Sequence, residues 1–318
     1  MPELPDLTVY LECVERQALG QRLRRLRLGN AFVLRTVTPR PSEFENLVLI
    51  GTSRVGKRLV LRFARLTDGA AHGRLAADID ARKHDDGSTR LAVIHLMRLG
   101  RLHWKKPDAA LPKGSGLVAF DFERGSLLLT ESGSKRRASL HLFDTEAALA
   151  EQDRGGLEPL TATLPEFAAR LRRENFTLKR ALTMPTVLAG IGNAYSDEIL
   201  HRAQLSPFKQ TQSVDDDELR RLYDATQTVL REWTERLRAA AADGWPPKVT
   251  AFHPLMAAHG RYGEPCPVCG SKIQRVVYAD NEMNYCARCQ TGGRLLADRA
   301  LSRLLHDSWP RTIDEAEA

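Results

Sequence analysis

Two Cys-x-x-Cys pairs near the C-terminus constrain the fold of this chain most strongly. The first pair is Cys266 and Cys269, and the second pair, after sixteen intervening residues, is Cys286 and Cys289. This spacing is typical of zinc ribbons, in which each pair holds two thiolates on one tight turn and the two turns complete a tetrahedron. Four thiolates leave no open position for water, so the sequence predicts one structural Zn²⁺. The alternative, four free thiols, would leave a unit with too little core to fold.

The residues between and beside the cysteine pairs predict a small hairpin with a basic surface. Residues 276–278 and 283–285 are its two expected strands. Lys272, Arg275 and Arg288 would suit contacts with phosphate groups. Ordinary solvated surface charge is the alternative for these three side chains.

Composition predicts a multidomain protein with a polyanionic partner. The chain has 318 residues, of which 42% are hydrophobic, a net charge of +7 and a pI near 9.3. This length allows two or three domains, and the charge favours nucleic acid, with an inert basic surface as the alternative. The sequence has no signal-peptide pattern and no apolar run long enough to cross a bilayer. We therefore expect a cytoplasmic, nucleoid-associated bacterial protein without a membrane partner. Cys13, the fifth cysteine, is expected in a core.

The N-terminal half reads as one helix followed by many short strands. Leu7, Leu11, Val14 and Ala18 recur at helical spacing, which predicts a helix over residues 7–19. The runs that follow, separated by Gly, Pro and Asp clusters, predict a β-sandwich or barrel-like domain. The expected strands cover residues 31–37, 47–50, 59–63, 91–96, 117–122, 126–130 and 139–143, with an exposed charged loop at 78–90.

The C-terminal half changes to helical periodicity after a Gly- and Pro-containing stretch at 150–164. Helices are expected over residues 166–173, 177–183, 194–202 and 216–241. The predicted fold is therefore α+β and multidomain. Its expected parts are a catalytic β-sandwich domain (2–150), a helical DNA-binding domain (151–248), a zinc finger (249–291) and a C-terminal extension with a frayed acidic end (292–318).

The first residues of the chain carry groups suited to Schiff-base chemistry. If Met1 is removed, as is usual before a small residue, the ring nitrogen of Pro2 becomes a free secondary amine. An α-amine with a pKa of about 7.7–8.0 has a reactive neutral fraction near neutral pH, and that form can attack an electrophilic sugar carbon. Glu3 could act on the same sugar as a general acid or base. The alternative is that Pro2 and Pro5 only stiffen the approach to the first helix.

A Gly-Ile-Gly-Asn turn at 190–193 joins two of the expected helices. Glycines at such a junction allow backbone N–H groups to converge on an anion at the start of the next helix. Asn193 can cap that helix and also donate from its side-chain amide. An ordinary turn between helices is the alternative.

Taken together, these features resemble the formamidopyrimidine-DNA glycosylase / endonuclease VIII family of bifunctional base-excision repair enzymes. The resemblance covers about residues 2–290. Four motifs carry it, at residues 2–5, 55–58, 190–198 and 260–266. It implies an N-terminal helix with a β-sandwich, a helix–two-turn–helix domain and a zinc finger, acting as a monomer on damaged double-stranded DNA.

The resemblance also implies roles for individual residues. Pro2 would attack the sugar C1′ and form a Schiff base, Glu3 would protonate the opening sugar, and β- and δ-elimination would cut the strand. Lys57 would contact the phosphate beside the lesion and assist catalysis. His95 and Asn193 match phosphate-binding positions of the family, although His95 could instead be a core histidine.

The chain departs from the family at the positions that read the duplex. Either Met97 or Arg98 would fill the gap left by the flipped base. Residues 135–139 replace the family's arginine–phenylalanine pair, so that Arg136 or Arg137 would contact the orphaned base. The zinc-finger position that is normally arginine is Asn281. That phosphate contact would be either lost or supplied elsewhere, by Arg275 or Arg288.

These features predict a DNA glycosylase with AP lyase activity on oxidised or abasic DNA. Because the residues expected to contact the bases differ from those of the family, we expect weak or narrow glycosylase activity and strong cleavage at abasic sites. A non-catalytic paralogue that binds damaged DNA is the alternative. A general nucleic-acid-binding ribbon protein is a third possibility, but it does not explain Pro2, Glu3 and Lys57 together.

Overall fold

The computed structural model of the chain describes residues 1–65, 89–246, 252–278, 281–297 and 310–317. Residues 78–88 of the expected charged loop lie outside these ranges. The chain divides into two compact units, Met1–Arg154 with Thr234–Val249 and Gly155–Trp233 with Thr250–Ala318. Among the described helices, none has the length and apolar character needed to span a bilayer.

The first unit is a β-sandwich with one long helix at its start, which confirms the predicted α+β architecture. Its elements are α1 (Leu4–Ala18), β1 (Leu23–Leu28), β2 (Val48–Val55), β3 (Arg58–Ala64), β4 (Arg90–His95), β5 (Gly100–Lys105), β6 (Gly116–Phe122), β7 (Ser126–Glu131), β8 (Ser139–Phe143) and α2 (Glu146–Ala150). One antiparallel sheet has the order β1-β6-β7-β5 and the other the order β2-β3-β4-β8. The two sheets bury a shared apolar core.

The core of this unit fixes α1 against the sandwich. Leu7, Tyr10 and Val14 on one face of α1 are at most 2% exposed and belong to the same apolar cluster as the sheet residues. Phe63 stacks on Phe120 and Phe122 with ring centroids 6.3–6.4 Å apart. Because α1 begins at Leu4, directly after its N-cap residue Glu3, this packing determines where the chain terminus lies. Cys13 is also fully buried in α1, as predicted.

The strand prediction was wrong at three places. Residues 31–37 do not form a strand; Ala31–Val33 is a 3₁₀ turn that begins where the Asn30 side chain accepts a hydrogen bond from Phe32 N. The strand β1 was missed because an irregularity between Leu23 and Arg25 breaks its alternation. The strand β5 was missed because His103 and basic residues interrupt its apolar pattern.

The second unit contains the predicted helices and the predicted ribbon. Its elements are α3 (Leu164–Arg172), α4 (Leu178–Thr183), α5 (Asn193–Ala203), β9 (Ile273–Tyr278), β10 (Asn281–Cys286), α7 (Ala287–Thr291) and α8 (Ile313–Glu317), while α6 (Asp216–Ala241) begins in this unit and ends in the first. Thr163 and Glu166 form a reciprocal capping box at the start of α3. The strands β9 and β10 pair in antiparallel register. The helix–two-turn–helix and ribbon architecture is thus confirmed.

The described end of the chain is not frayed, contrary to expectation. Ile313 in α8 is 1% exposed and packs in the apolar cluster of the ribbon with Met283, Tyr285 and Leu296. Two backbone hydrogen bonds of 2.8 Å attach residues 311 and 313 to residues 295 and 293. The acidic composition suggested solvation, but one isoleucine at the right spacing anchors the segment.

Candidate active site and metal centre

The chain start is buried in the first unit. Pro2 is buried, and Glu3, at the N-cap of α1, is only 2% exposed. The carboxylate of Asp6, in the first turn of α1, accepts a hydrogen bond of 2.8 Å from Glu3 N. Asp6 is therefore the third residue of α1, with Glu3 at the N-cap, and its side chain fixes the backbone of Glu3.

Glu3, Lys57 and Arg101 all contribute to the pKa of the amine at the chain terminus, and sequence analysis missed Arg101. Burial lowers the pKa of the Met1 amine below its usual value of 8.0; Arg101 and Lys57 add to the shift and Glu3 opposes it. A lowered pKa leaves more of an amine neutral at pH 7. With Met1 in place, the Pro2 nitrogen is an amide, so the Met1 amine marks the surroundings that a free Pro2 nitrogen would share.

Asp6 is expected to make stability depend on pH between about 4 and about 7. Burial raises the pKa of the Asp6 carboxyl from 3.8 to about 7, so the folded chain holds this proton more tightly than the unfolded chain. The resulting stability is complete below the unfolded pKa and is lost as the pH rises through the folded pKa. Asp6→Asn removes this titration. Urea denaturation should therefore show that the wild type loses stability relative to the variant as the pH rises, on the order of 1.4 kcal/mol per pKa unit. A constant difference would contradict the assignment.

Lys57 lies on a two-residue hairpin between β2 and β3. Val55 and Arg58 are directly paired, and Gly56 supplies the left-handed conformation at φ +57° that such a tight turn needs. The neighbouring His95, at the end of β4, is paired with Arg58 in the sheet. Burial, followed by the charges of Arg58 and Lys57, lowers the pKa of His95 to about 4. His95 is therefore neutral at pH 7, so that any phosphate contact from it is a neutral N–H donation.

The turn between β4 and β5 presents the candidate gap-filling residues. Met97 occupies the left-handed region at φ +51°, and Gly100 N closes the turn on Leu96 O at 2.9 Å. Arg98 is exposed, and Leu99 is an apolar side chain that is 40% exposed. Leu99 was not singled out from the sequence, and its exposure adds an apolar candidate beside Arg98.

A buried carboxylate fixes the loop that carries Arg136 and Arg137. Glu131, at the end of β7, is 2% exposed and accepts hydrogen bonds from the backbone amides of Arg137 and Ala138 at 2.8 and 2.9 Å. Arg136 is exposed and donates to Gly114 O. Sequence analysis missed Glu131 because nothing local indicates that its carboxylate turns back onto the loop six residues later.

Glu131→Gln is expected to loosen this loop without unfolding the sandwich. A neutral amide oxygen accepts more weakly than a carboxylate, and the added NH₂ group needs a buried partner, at a cost of about 1–3 kcal/mol. Amide hydrogen exchange of Arg137 and Ala138 should accelerate relative to the wild type. Glu123→Gln, at an exposed turn of the same sheet, is the matched control. Equal exchange in the two variants would contradict this role.

The N-cap of α5, at the Gly-Ile-Gly-Asn turn, is not the residue expected from the sequence. Gly192, not Asn193, is the N-cap residue, and Asn193 is the first helical residue. The side-chain amide of Asn193 donates to Glu282 O at 2.6 Å, because β10 lies alongside the start of α5. Lys179, which sequence analysis missed, donates to Asn193 O at 2.8 Å and to the buried carboxylate of Asp197 at 2.5 Å. Asn193 is thus held on both sides within the second unit.

The four predicted cysteine ligands converge at one point of the second unit. Their Sγ atoms all lie within 4.8 Å of one another. Sγ of Cys266 lies 3.9 Å from that of Cys289, and Sγ of Cys269 lies 3.4 Å from that of Cys286. Metal–sulfur bonds of about 2.3 Å would separate sulfurs in a tetrahedron by roughly 3.8 Å. The cysteines therefore fit one tetrahedrally coordinated structural metal ion.

The two arginines considered for phosphate binding in the ribbon are both paired. Arg275 lies over the ring of Tyr262 at 4.2 Å and within 3.4 Å of a Glu282 carboxylate oxygen, and its side chain is 46% exposed. Arg288 forms an ion pair with Asp314 of α8. Both arginines belong to the second unit, and Pro2 belongs to the first.

Comparison with known protein families agrees with this arrangement of parts. Residues 1–138 match the formamidopyrimidine-DNA glycosylase N-terminal domain, residues 156–240 match the H2TH domain of the same enzymes, and residues 263–292 match the zinc finger found in FPG and IleRS. The chain belongs to the formamidopyrimidine-DNA glycosylase family. The resemblance inferred from the four motifs is therefore confirmed.

Relatives across the formamidopyrimidine-DNA glycosylase family share most of the chain. The formamidopyrimidine-DNA glycosylase of Thermus thermophilus is 31% identical over 313 residues, covering 92% of this chain and all of the relative. That of Heliobacterium modesticaldum is 35% identical over 214 residues, covering 65% of this chain and 77% of the relative. Lactococcus lactis Fpg, in its crystal structure with DNA containing an abasic site, has 21% sequence identity to this chain and a TM-score of 0.73. The match covers 91% of this chain and 99% of the Lactococcus lactis chain. That structural likeness shows a shared fold.

Proposed function

We propose that this family member is a DNA glycosylase with AP lyase activity, acting on oxidised or abasic sites in double-stranded DNA as a monomer. The observation that carries the proposal is the burial of Pro2 and Glu3 at the chain terminus, where burial lowers the pKa of the terminal amine and the charges of Glu3 and Lys57 also act on it. The relatives in the family are named as glycosylases, and the Lactococcus lactis enzyme was crystallised with abasic DNA. A basic chain of net charge +7 suits a phosphate backbone.

In the proposed reaction, the nitrogen of Pro2 is the nucleophile after removal of Met1. It attacks C1′ of a flipped-out nucleotide, and the base leaves with the electrons of its bond to C1′. Glu3 protonates the ring oxygen as the sugar opens, which leaves an iminium between Pro2 and C1′. Loss of a C2′ proton then expels the 3′ phosphate, and δ-elimination expels the 5′ phosphate. Lys57 holds the adjacent phosphate, with neutral His95 and Asn193 as further donors.

The metal of the four-cysteine centre is assigned as one structural Zn²⁺. Four thiolates in a closed tetrahedron favour Zn²⁺ over the hard cations, which take oxygen ligands. When bound, the ion supplies folding energy to the ribbon and takes no part in the reaction. Arg275, which lies over the ring of Tyr262, and Arg288, which pairs with Asp314, are the ribbon's candidate DNA contacts.

Substrate preference follows from the loops that differ from the family. Arg136 and Arg137 lie in an exposed loop without an aromatic residue, and an abasic site needs no pocket for a base. We therefore expect cleavage of an abasic duplex at least about tenfold faster than excision of 8-oxoguanine or thymine glycol. Gel analysis of three matched duplexes, with an undamaged duplex as control, tests this. Rapid excision of 8-oxoguanine opposite cytosine would overturn the preference but not the enzyme class.

A non-catalytic protein that binds damaged DNA is the alternative. It applies if Met1 is retained, because the Pro2 nitrogen would then be an amide and could not attack. Tight binding of abasic duplex with no strand cleavage would identify it.

A further inference from the structure

His201 lies beside the candidate metal centre without belonging to its predicted ligand set. It is on the last turns of α5, 65 positions before Cys266 in the sequence, and is 5% exposed. Its Nε2 atom lies 3.2 Å from Sγ of Cys266, which is 3% exposed. This is a hydrogen-bond distance for a sulfur acceptor. The four sulfurs already complete a tetrahedron, so His201 is an outer neighbour of the metal and not a fifth ligand.

The charge of a four-thiolate centre explains why such a neighbour matters. Four thiolates around a divalent ion carry a net charge of −2, which is costly to bury unless N–H groups donate to the sulfurs. Cys269 is exposed and can be solvated, whereas Cys266 is buried. Among the described residues, the backbone amide of Val268 lies 3.4 Å from Cys266 Sγ and the imidazole of His201 lies closer. Cys286 is buried too, and Cys266 is the buried sulfur for which a side-chain donor, the imidazole of His201, lies within hydrogen-bond distance.

The second cysteine pair is attached to the same end of α5. Gln290 is 6% exposed; its oxygen accepts from Cys286 N at 2.8 Å, and its amide donates to Leu205 O at 3.0 Å. Leu205 follows the left-handed C-cap residue Gln204 of α5. Both cysteine pairs thus reach the C-terminal end of α5, the helix that carries Asn193 at its other end.

We propose that His201 donates a hydrogen bond from Nε2–H to the metal-bound thiolate of Cys266 and slows the loss of the metal. His201 is then a positioning residue of the metal centre, and it couples metal retention to helix α5. The proposal rests on the assignment of a structural Zn²⁺ but not on catalytic activity, so a protein without glycosylase activity could still satisfy it.

Metal release from purified holoprotein tests the proposal. His201→Phe keeps a planar ring but removes the donor, and zinc transfer to an excess of a chromogenic chelator should become about tenfold faster. His201→Gln retains an N–H donor and should restore part of the difference. His103→Phe is the matched control, because His103 is a half-buried histidine of the first unit that contacts Thr130. Unchanged release in His201→Phe would overturn the proposal.

A measurement on the unaltered side chain keeps the proposal testable if His201→Phe fails to fold. Nitrogen-15 NMR of the wild-type holoprotein identifies which ring nitrogen of His201 carries the proton. The expected tautomer has the proton on Nε2, protected from exchange and scalar-coupled to cadmium in ¹¹³Cd-substituted protein. A neutral imidazole protonated only on Nδ1 would overturn the proposal.

Discussion

Protein that has lost Met1 is expected to form a borohydride-stable adduct with an abasic duplex, and protein that keeps Met1 is not. Pro2→Leu places a larger residue after Met1 and so retains it, which moves the terminal amine by one residue. Adduct formation should fall by roughly a thousandfold or more, because a nucleophile displaced by a few ångströms loses its advantage of position. Intact mass establishes the terminus of each protein, and gel-shifted adduct measures the reaction.

Two further variants distinguish the role of the Pro2 nitrogen from that of the Glu3 carboxylate. Pro2→Gly still allows Met1 to be removed and offers a primary amine, so its adduct should be weaker but detectable. Glu3→Gln keeps the nitrogen and removes the general acid, so base excision should fall by about 10²–10⁴. Adduct formation by the Met1-free protein should rise with pH, because only the neutral amine attacks; burial, which lowers the pKa of the Met1 amine, favours that neutral form at the chain terminus. An equal adduct from Met1-retaining protein would show that another nucleophile acts.

Features encoded within a few residues could be predicted from the sequence. The cysteine pairs close within four residues each, and the Lys57 turn is set by Val55, Gly56 and Arg58. The helices of the second unit follow from periodicity and local caps, as at Thr163. In each case the physical cause lies in neighbouring residues, so one sequence carries enough information.

Features that depend on distant contacts could not be predicted. Glu131 fixes a loop through backbone amides, and Arg288 pairs with Asp314, 26 residues away. The sequence suggested that Asn193 caps α5, but its side-chain amide donates a hydrogen bond to Glu282 O of β10. These pairings depend on how elements pack, and neither hydrophobic pattern nor residue type specifies the partner. Loop residues that carry function are affected most, because packing does not restrict them.

Removal of the metal is expected to unfold the ribbon while the sandwich stays folded. The ribbon's apolar cluster is small and includes Ile313 from the end of the chain. A unit of this size has little stability of its own, whereas structural zinc contributes about 10–16 kcal/mol of apparent binding free energy in small fingers. Chelation, or Cys286→Ser, should therefore abolish amide protection in residues 273–291 and leave that of β6 and β7 intact. Hydrogen exchange with mass spectrometry measures both regions in one experiment.

Unfolding of the ribbon should also weaken DNA binding, because it removes both the ribbon's own charges and its contacts with helix α5. Asn193 loses its hydrogen bond to Glu282 O, and Asp197 loses the 3.2 Å contact with Asn284 N. We expect at least a hundredfold loss of affinity for an abasic duplex at fixed salt, since several phosphate contacts act together. Cys13→Ala changes the fifth cysteine, which lies in α1 outside the cluster. It should retain one metal ion per chain and near-normal affinity. If chelated protein bound DNA as tightly as holoprotein, the ribbon would have no role in holding the duplex.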